Sequence, residues 1–202
     1  TEMLEIKNGT LSGVEHPATA ADINLVVDAG EMLCIYAWSS DKRQAIVHTL
    51  LGLQPLKSGF MSVDGDVIDE RSAAYYRSHT AFVPRDLRLP FKTVGETMQA
   101  MMTIDKDLTK GTIESEWRKV GIADGLWNAL VEHVGQDILQ QMMMVVAVMR
   151  GCNHMIIDLL PGAMTPEMMG YLRQYTASGG LIVIATDDEE VKGQCDKSLL
   201  EP

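Results

Sequence analysis

The chain has 202 residues, 46% hydrophobic and 22% charged, which fits one folded domain with a sizeable core and excludes a disordered or fibrous chain. Its formal charge of −11 argues against a nucleic-acid partner, whose phosphates need clustered Lys and Arg, and against direct attachment to an anionic lipid surface. No apolar run reaches the roughly 18 residues of a membrane span and the first residues lack a signal-peptide pattern, so the expectation is a cytoplasmic protein, with any place on the inner face of a membrane held through partners and no direct insertion.

Residues 3–7 and 22–27 alternate apolar and polar side chains, as half-buried strands do. Ala29-Gly30 is a turn, and residues 32–36 are a short apolar run typical of a strand buried on both faces. A polar loop is expected over residues 37–43, then a helix over 44–53 with Ala45, Ile46, Thr49, Leu50 and Leu53 on one face, ended with the help of Gly52 and Pro55. A further alternating run covers 60–63, and Asp64-Gly65 is a strong hairpin signal. Residues 80–83 read as a strand closed by Pro84. Residues 94–141 carry a helical pattern with Met-rich faces and breaks near Gly111, Gly121 and Gly135, without a strand signal. Residues 142–149 are apolar on every side and read as core. A strand over 155–157 ends at Asp158, an amphipathic helix spans 165–176, and Gly179-Gly180 leads into a strand over 181–185. This order suggests a parallel-sheet core with an antiparallel flank and an inserted helical lobe.

Cys34, Cys152 and Cys195 lack paired spacing and read as small buried hydrophobes. The five histidines form no ligand pattern and read as unrelated surface or loop residues. Tyr75 and Tyr76, between Arg71 and Arg77, suit a partner-facing or a structural role equally. The fourteen methionines suit an adaptable core better than a contact surface.

The strand–loop–helix unit over residues 32–53 is where phosphate chemistry belongs. A helix N-terminus behind a tight loop points backbone N–H groups and the positive dipole end at an anion. In the consensus GxxxxGK[ST], glycines let the amides close round phosphates, the lysine reaches the outer phosphates and the hydroxyl binds magnesium. The matching stretch here is Ala37-Trp38-Ser39-Ser40-Asp41-Lys42-Arg43-Gln44. Both glycines are replaced, Arg43 stands at the lysine position and Gln44 at the hydroxyl position.

The surroundings bring a family to mind. Gly30-Glu31 before the strand, Leu51-Gly52-Leu53 closing the helix, then Ser58-Gly59 and Asp64-Gly65 resemble the ATP-binding subunits of ATP-binding-cassette (ABC) transporters. Farther on, Ala81-Phe82-Val83-Pro84-Arg85 looks like the strand into the family's Q-loop, with Arg85 in place of glutamine. Residues 93–97 resemble the start of the helical subdomain that docks on transmembrane subunits. Met155-Ile156-Ile157-Asp158 is similar to the Walker B strand, with Leu159 where the catalytic glutamate would stand; Asp187 takes the place of the switch histidine, and Val134-Gly135-Gln136-Asp137-Ile138 falls near the signature motif. Gly13 lies near the expected place of the adenine-stacking aromatic, which has no evident counterpart.

The resemblance implies an α/β fold: a P-loop NTPase-like three-layer core with an antiparallel β flank and an inserted helical subdomain, in one ABC ATPase-like domain over residues 1–202 (core 1–90 and 141–202, helical subdomain about 91–140). It implies degenerate nucleotide-site positions at Ser39, Ser40, Lys42, Arg43, Gln44 and Arg85, with Asp158 as a weak magnesium ligand and no catalytic side chain. ATP and magnesium are expected to bind weakly or not at all, because side chains replace glycines where the backbone must approach phosphate. No efficient hydrolysis is expected, because Leu159 cannot polarise a water and Asp187 cannot serve as a cationic donor. The implied role is a non-hydrolytic subunit that pairs with another ABC ATPase subunit or with transmembrane transporter subunits. Two alternatives stay open: a regulatory module reusing the fold without a transporter, and an atypical working ATPase in which Lys42 slides into the lysine position and Gln44 reaches magnesium.

Overall fold

Leu4 and Ile6 are buried on the first strand, β1 (Met3–Thr10), and Ile23, Leu25 and Val27 on the second, β2 (Ile23–Asp28), so the alternation seen in the sequence becomes one inward face. In this computed structural model, which describes residues 2–202, the two strands pair antiparallel and are joined by β4 (Ser58–Val63) and β5 (Asp66–Val67) in the order β2-β1-β4-β5. Asp64 and Gly65 connect β4 to β5 with φ of 52° and 87°, the pair of positive angles that a tight two-residue hairpin requires.

The second sheet is parallel throughout, in the order β6-β7-β8-β3-β9. Its strands are β3 (Met32–Tyr36), β6 (Thr80–Val83), β7 (His154–Asp158), β8 (Leu181–Thr186) and β9 (Lys197–Leu200). All six residues of central β8 are buried, as continuous apolar runs predict for a sheet covered on both faces.

Alternate residues of this sheet feed two cores. Leu33, Ile35, Ile156 and Val183 pack with the antiparallel sheet and with Ala45, Ile46 and Leu50 of α1 (Ser40–Leu50). Met32, Met155, Ile157 and Ile182 pack on the other side, against α5 (Gln136–Met149) and α6 (Pro166–Ala177). The result is three layers around the parallel sheet. Met32, Met98, Met142, Met144, Met155 and Met168 are nearly fully buried, so the flexible thioethers fill gaps between helices.

The long helical pattern resolves into α3 (Val94–Ile104) and α4 (Lys110–Lys119) before α5, with residues 120–135 mostly in turns. Capping boxes at Thr93 and Thr109 start the first two. Trp117 and Trp127, with ring centroids 5.9 Å apart, bring this lobe together.

Several sequence expectations are corrected. The helix after β3 begins at Ser40 and not at Gln44, and Leu53, placed on its buried face, lies beyond its end and is 57% exposed. His154 is buried in β7 and not at the surface. The two tyrosines part company: Tyr75 is exposed, whereas Tyr76 is buried and donates to the Leu50 carbonyl. Three short elements lacked a clear sequence signal: α2 (Ala73–Ser78), α7 (Glu189–Gln194) and β9. Their periods are too few to stand out.

Candidate functional site

The C-terminal ends of β3, β6, β7, β8 and β9 converge on one edge of the parallel sheet, where open α/β sheets place their ligand sites. The loop leaving β3 is residues 37–39 only, because the helix starts at Ser40. In the phosphate-binding consensus the stretch between the two glycines forms the cradle ahead of the helix; here the helix takes over within that stretch, and the expected polar loop over 37–43 is largely a helical turn. Without glycines, Ser40, Asp41 and Lys42 settle into α1, and Asp41 in the first turn favours the positive dipole end.

Ala37 retains a trace of the glycine geometry. Its φ is 57°, and the other non-glycine residues with positive φ among those described are Asn8, Asp22 and Asp64, types that tolerate this region better than Ala does. Trp38, the next residue, is buried, and its indole N–H donates to the Leu199 carbonyl at 3.0 Å. Ser39 gives its backbone N–H (2.7 Å) and its hydroxyl (2.5 Å) to the Glu201 carboxylate. These bonds hold the Glu201 carboxyl below the ordinary glutamate range. Lys42 reaches the Pro202 carbonyl at 3.4 Å, and Gln44 is exposed. The Ser39 amide and hydroxyl and the Lys42 ammonium are therefore engaged with the segment after β9.

Asp158, at the end of β7, meets the two arginines. Arg43 Nε lies 3.2 Å and Arg85 Nε 3.3 Å from the same carboxylate oxygen, Oδ1. These are ion pairs by distance, but the Nε–H bonds are not aimed at that oxygen, so all three buried atoms lack an aligned hydrogen bond. Arg85 also donates from Nη2 to the Leu159 carbonyl at 2.9 Å. Burial pushes the Asp158 carboxyl above the ordinary aspartate range, and the two guanidiniums only partly offset it. In front lies a cleft of about 560 Å³ lined also by His48, Phe82, Arg88 and Gln136.

The remaining expected positions are scattered. Leu159 is buried, with its N–H on the Ala185 carbonyl, and Asp187 is exposed beyond β8. Gly135 caps the start of α5, with Gln136 and Asp137 in its first turn.

Gln140 escaped the sequence reading. Fully buried on α5, it donates to the carbonyls of Pro84 (3.0 Å) and Asp158 (2.7 Å), and its oxygen accepts from Leu160 N–H (2.7 Å). One amide thus ties α5 to the ends of β6 and β7. A polar residue two steps before the apolar run 142–149 was the available signal, and only the packing gives it meaning.

A magnesium ion does not fit the residues present. The position that needs a hydroxyl holds the exposed Gln44, and the inner oxygen of Asp158 faces two guanidiniums. Among the described residues no group of three or more His, Cys, Asp or Glu side chains is arranged to hold a metal.

No family model matches the chain. It is 32% identical to the ribose import ATP-binding protein RbsA 1 of Rhizobium meliloti over 78 residues, 38% of this chain and 16% of the relative. It is 23% identical to the macrolide export ATP-binding/permease protein MacB 1 of Yersinia pestis over 208 aligned positions, 97% of this chain and 32% of the relative. The chain thus spans about a third or less of the length of the curated relatives it matches. Among solved structures, an ATP-binding subunit of an ABC transporter superposes with a TM-score of 0.78 at 18% identity, covering 98% of this chain and 85% of the other. The ATP-binding cassette MJ0796, bound to ADP and Pi, superposes with a TM-score of 0.78 at 15% identity, covering 98% and 94%. The chain therefore has the fold of ABC ATP-binding domains and resembles such proteins in part of its sequence.

Proposed function

From the premise of an ABC-type nucleotide-binding domain, we propose that this chain is a non-hydrolytic subunit of a membrane transport complex, pairing with another ABC ATPase subunit and with transmembrane subunits. The observation that carries the reading is the pairing of Asp158 with Arg43 and Arg85 at a loop of residues 37–39. A carboxylate committed to two arginines is not free to organise a metal, and a loop this short leaves few amides for a triphosphate.

Leu159 supports the same conclusion. An apolar side chain sealed at the end of β7 cannot orient an attacking water, and the exposed Asp187 brings negative charge where transition-state charge needs donors. The scaffold is meanwhile well packed, which fits a role in docking and assembly. The curated relatives are an import ATP-binding protein and an export ATP-binding/permease protein. Among the described residues no helix is long and apolar enough to cross a membrane, so membrane association of this domain would run through its partners.

The test is phosphate release at saturating ATP and magnesium, on the purified protein alone and in its assembled complex. The expected result is no turnover attributable to this site. Sustained turnover that Asp158→Asn abolishes would reject the reading. Failure to co-purify with any integral membrane protein would instead favour a regulatory module.

A further inference from the structure

The mismatch between this site and a divalent cation has a positive side. Two guanidiniums face one carboxylate in the cleft, and the side chains of Arg43 and Arg85 are only 15% and 25% exposed. Arg88 already has its own partner in Asp86, at 3.1 Å. The Arg43–Arg85–Asp158 group therefore keeps one uncompensated positive charge, in a place where low solvent access makes charge costly. Nε of each arginine also lacks an aligned acceptor, which marks the group as incompletely satisfied. An incoming anion would balance the net charge of this group, while the buried Nε atoms stay next to Asp158.

We infer that Arg43 and Arg85 replace the divalent cation at Asp158, so that the cleft takes a phosphoryl anion free of metal. The inference rests on the ABC-type reading of the site, and it goes further by assigning the counter-charge and the ionic form of the ligand. Arginine suits the task, because its planar fork stays charged at any physiological pH and binds phosphoryl oxygens in pairs. Asp158 then acts as a positioning residue: it holds the two forks at one edge of the cleft, much as a carboxylate holds a metal.

Two titrations of the full chain test this. In the first, Mn²⁺ alone is followed by electron paramagnetic resonance. The wild type is expected to show no Asp158-dependent Mn²⁺ site, whereas Arg43→Ala/Arg85→Ala exposes the carboxylate and binds at least about tenfold more tightly, an effect removed by adding Asp158→Asn. Arg85→Gln, which keeps Arg43, serves as the milder variant if the double substitution does not fold by circular dichroism, and is expected to gain affinity in the same direction. In the second, inorganic pyrophosphate is titrated calorimetrically in EDTA and again in magnesium. Binding is expected in EDTA with a Kd below about 1 mM, and Arg43→Ala is expected to weaken it.

Asp158-dependent Mn²⁺ binding by the wild type would overturn the inference. So would an unchanged Mn²⁺ affinity in the arginine variants, pyrophosphate binding only with magnesium, or no pyrophosphate binding in that range. None of these results depends on hydrolysis, so they stand apart from the turnover assay.

Discussion

Asp158 belongs to two neighbourhoods that were built differently. Its backbone carbonyl lies in the bracket made by Gln140, where both ends of one buried amide find partners at 2.7 to 3.0 Å. Its side chain lies in the arginine cluster, where oppositely charged atoms are close but not aligned. A satisfied buried amide specifies one arrangement of the elements it joins. A partly buried charge cluster with misaligned partners contributes little net stability, although breaking it by removing one partner is costly. The scaffold side of the site is finished, and the ligand side is not.

Substitutions can break this contrast. Gln140→Leu should cost the most: it leaves the carbonyls of Pro84 and Asp158 and the N–H of Leu160 without their partner, for a loss of about 3 kcal/mol in denaturant unfolding. A loss near zero would show the amide to be incidental. Asp158→Asn should cost less, about 2 kcal/mol, because removing the carboxylate leaves two partly buried guanidiniums facing each other, while the exposure of Arg85 allows partial rehydration. If it costs more than Gln140→Leu, the contrast is reversed.

Ala37→Gly should stabilise the fold by up to about 1 kcal/mol, since glycine removes the side-chain penalty of φ at 57°. A loss of stability would mean that the Ala37 methyl packs usefully.

Acid titration reaches a second buried polar group away from the cleft. His154, beside Glu2 and near Asp64, has its pKa lowered chiefly by burial, with the carboxylates opposing. The unfolded chain, with an ordinary histidine pKa near about 6.5, takes up a proton that the folded state resists. Stability is therefore expected to be full above that pH and to fall as pH drops below it. In His154→Phe that acid-side slope should shrink, and an unchanged slope would assign it to other groups.

The smallest effect is expected at Glu201→Gln. Ser39 would keep a weaker acceptor, so its amide should exchange faster with solvent while the thermal midpoint stays unchanged. Equal exchange would show that the carboxylate does not hold the helix start.

The longer strands were legible because they report a period-two or wholly apolar pattern, and residues 32–36 and 80–83 were read with the bounds found in β3 and β6, whereas β9 was not read. The Asp64-Gly65 turn was legible because positive φ at both positions leaves few residue choices. The start of α1 was not. Ser39 to Lys42 favour a loop or a helical first turn almost equally, and the decision came from Glu201, more than 150 positions along the chain, which accepts the Ser39 amide.

Sequence by itself determined the parallel core and its antiparallel flank, which follow from local periodicity and the order of elements, while the residues expected at the sheet edge came from the family resemblance. Only the tertiary structure decided what those residues do. Arg43, Arg85, Asp158, Gln140 and Glu201 come from separate segments, and whether two charges pair, or a buried amide is satisfied, depends on distances of a few ångströms that chain-local patterns do not encode.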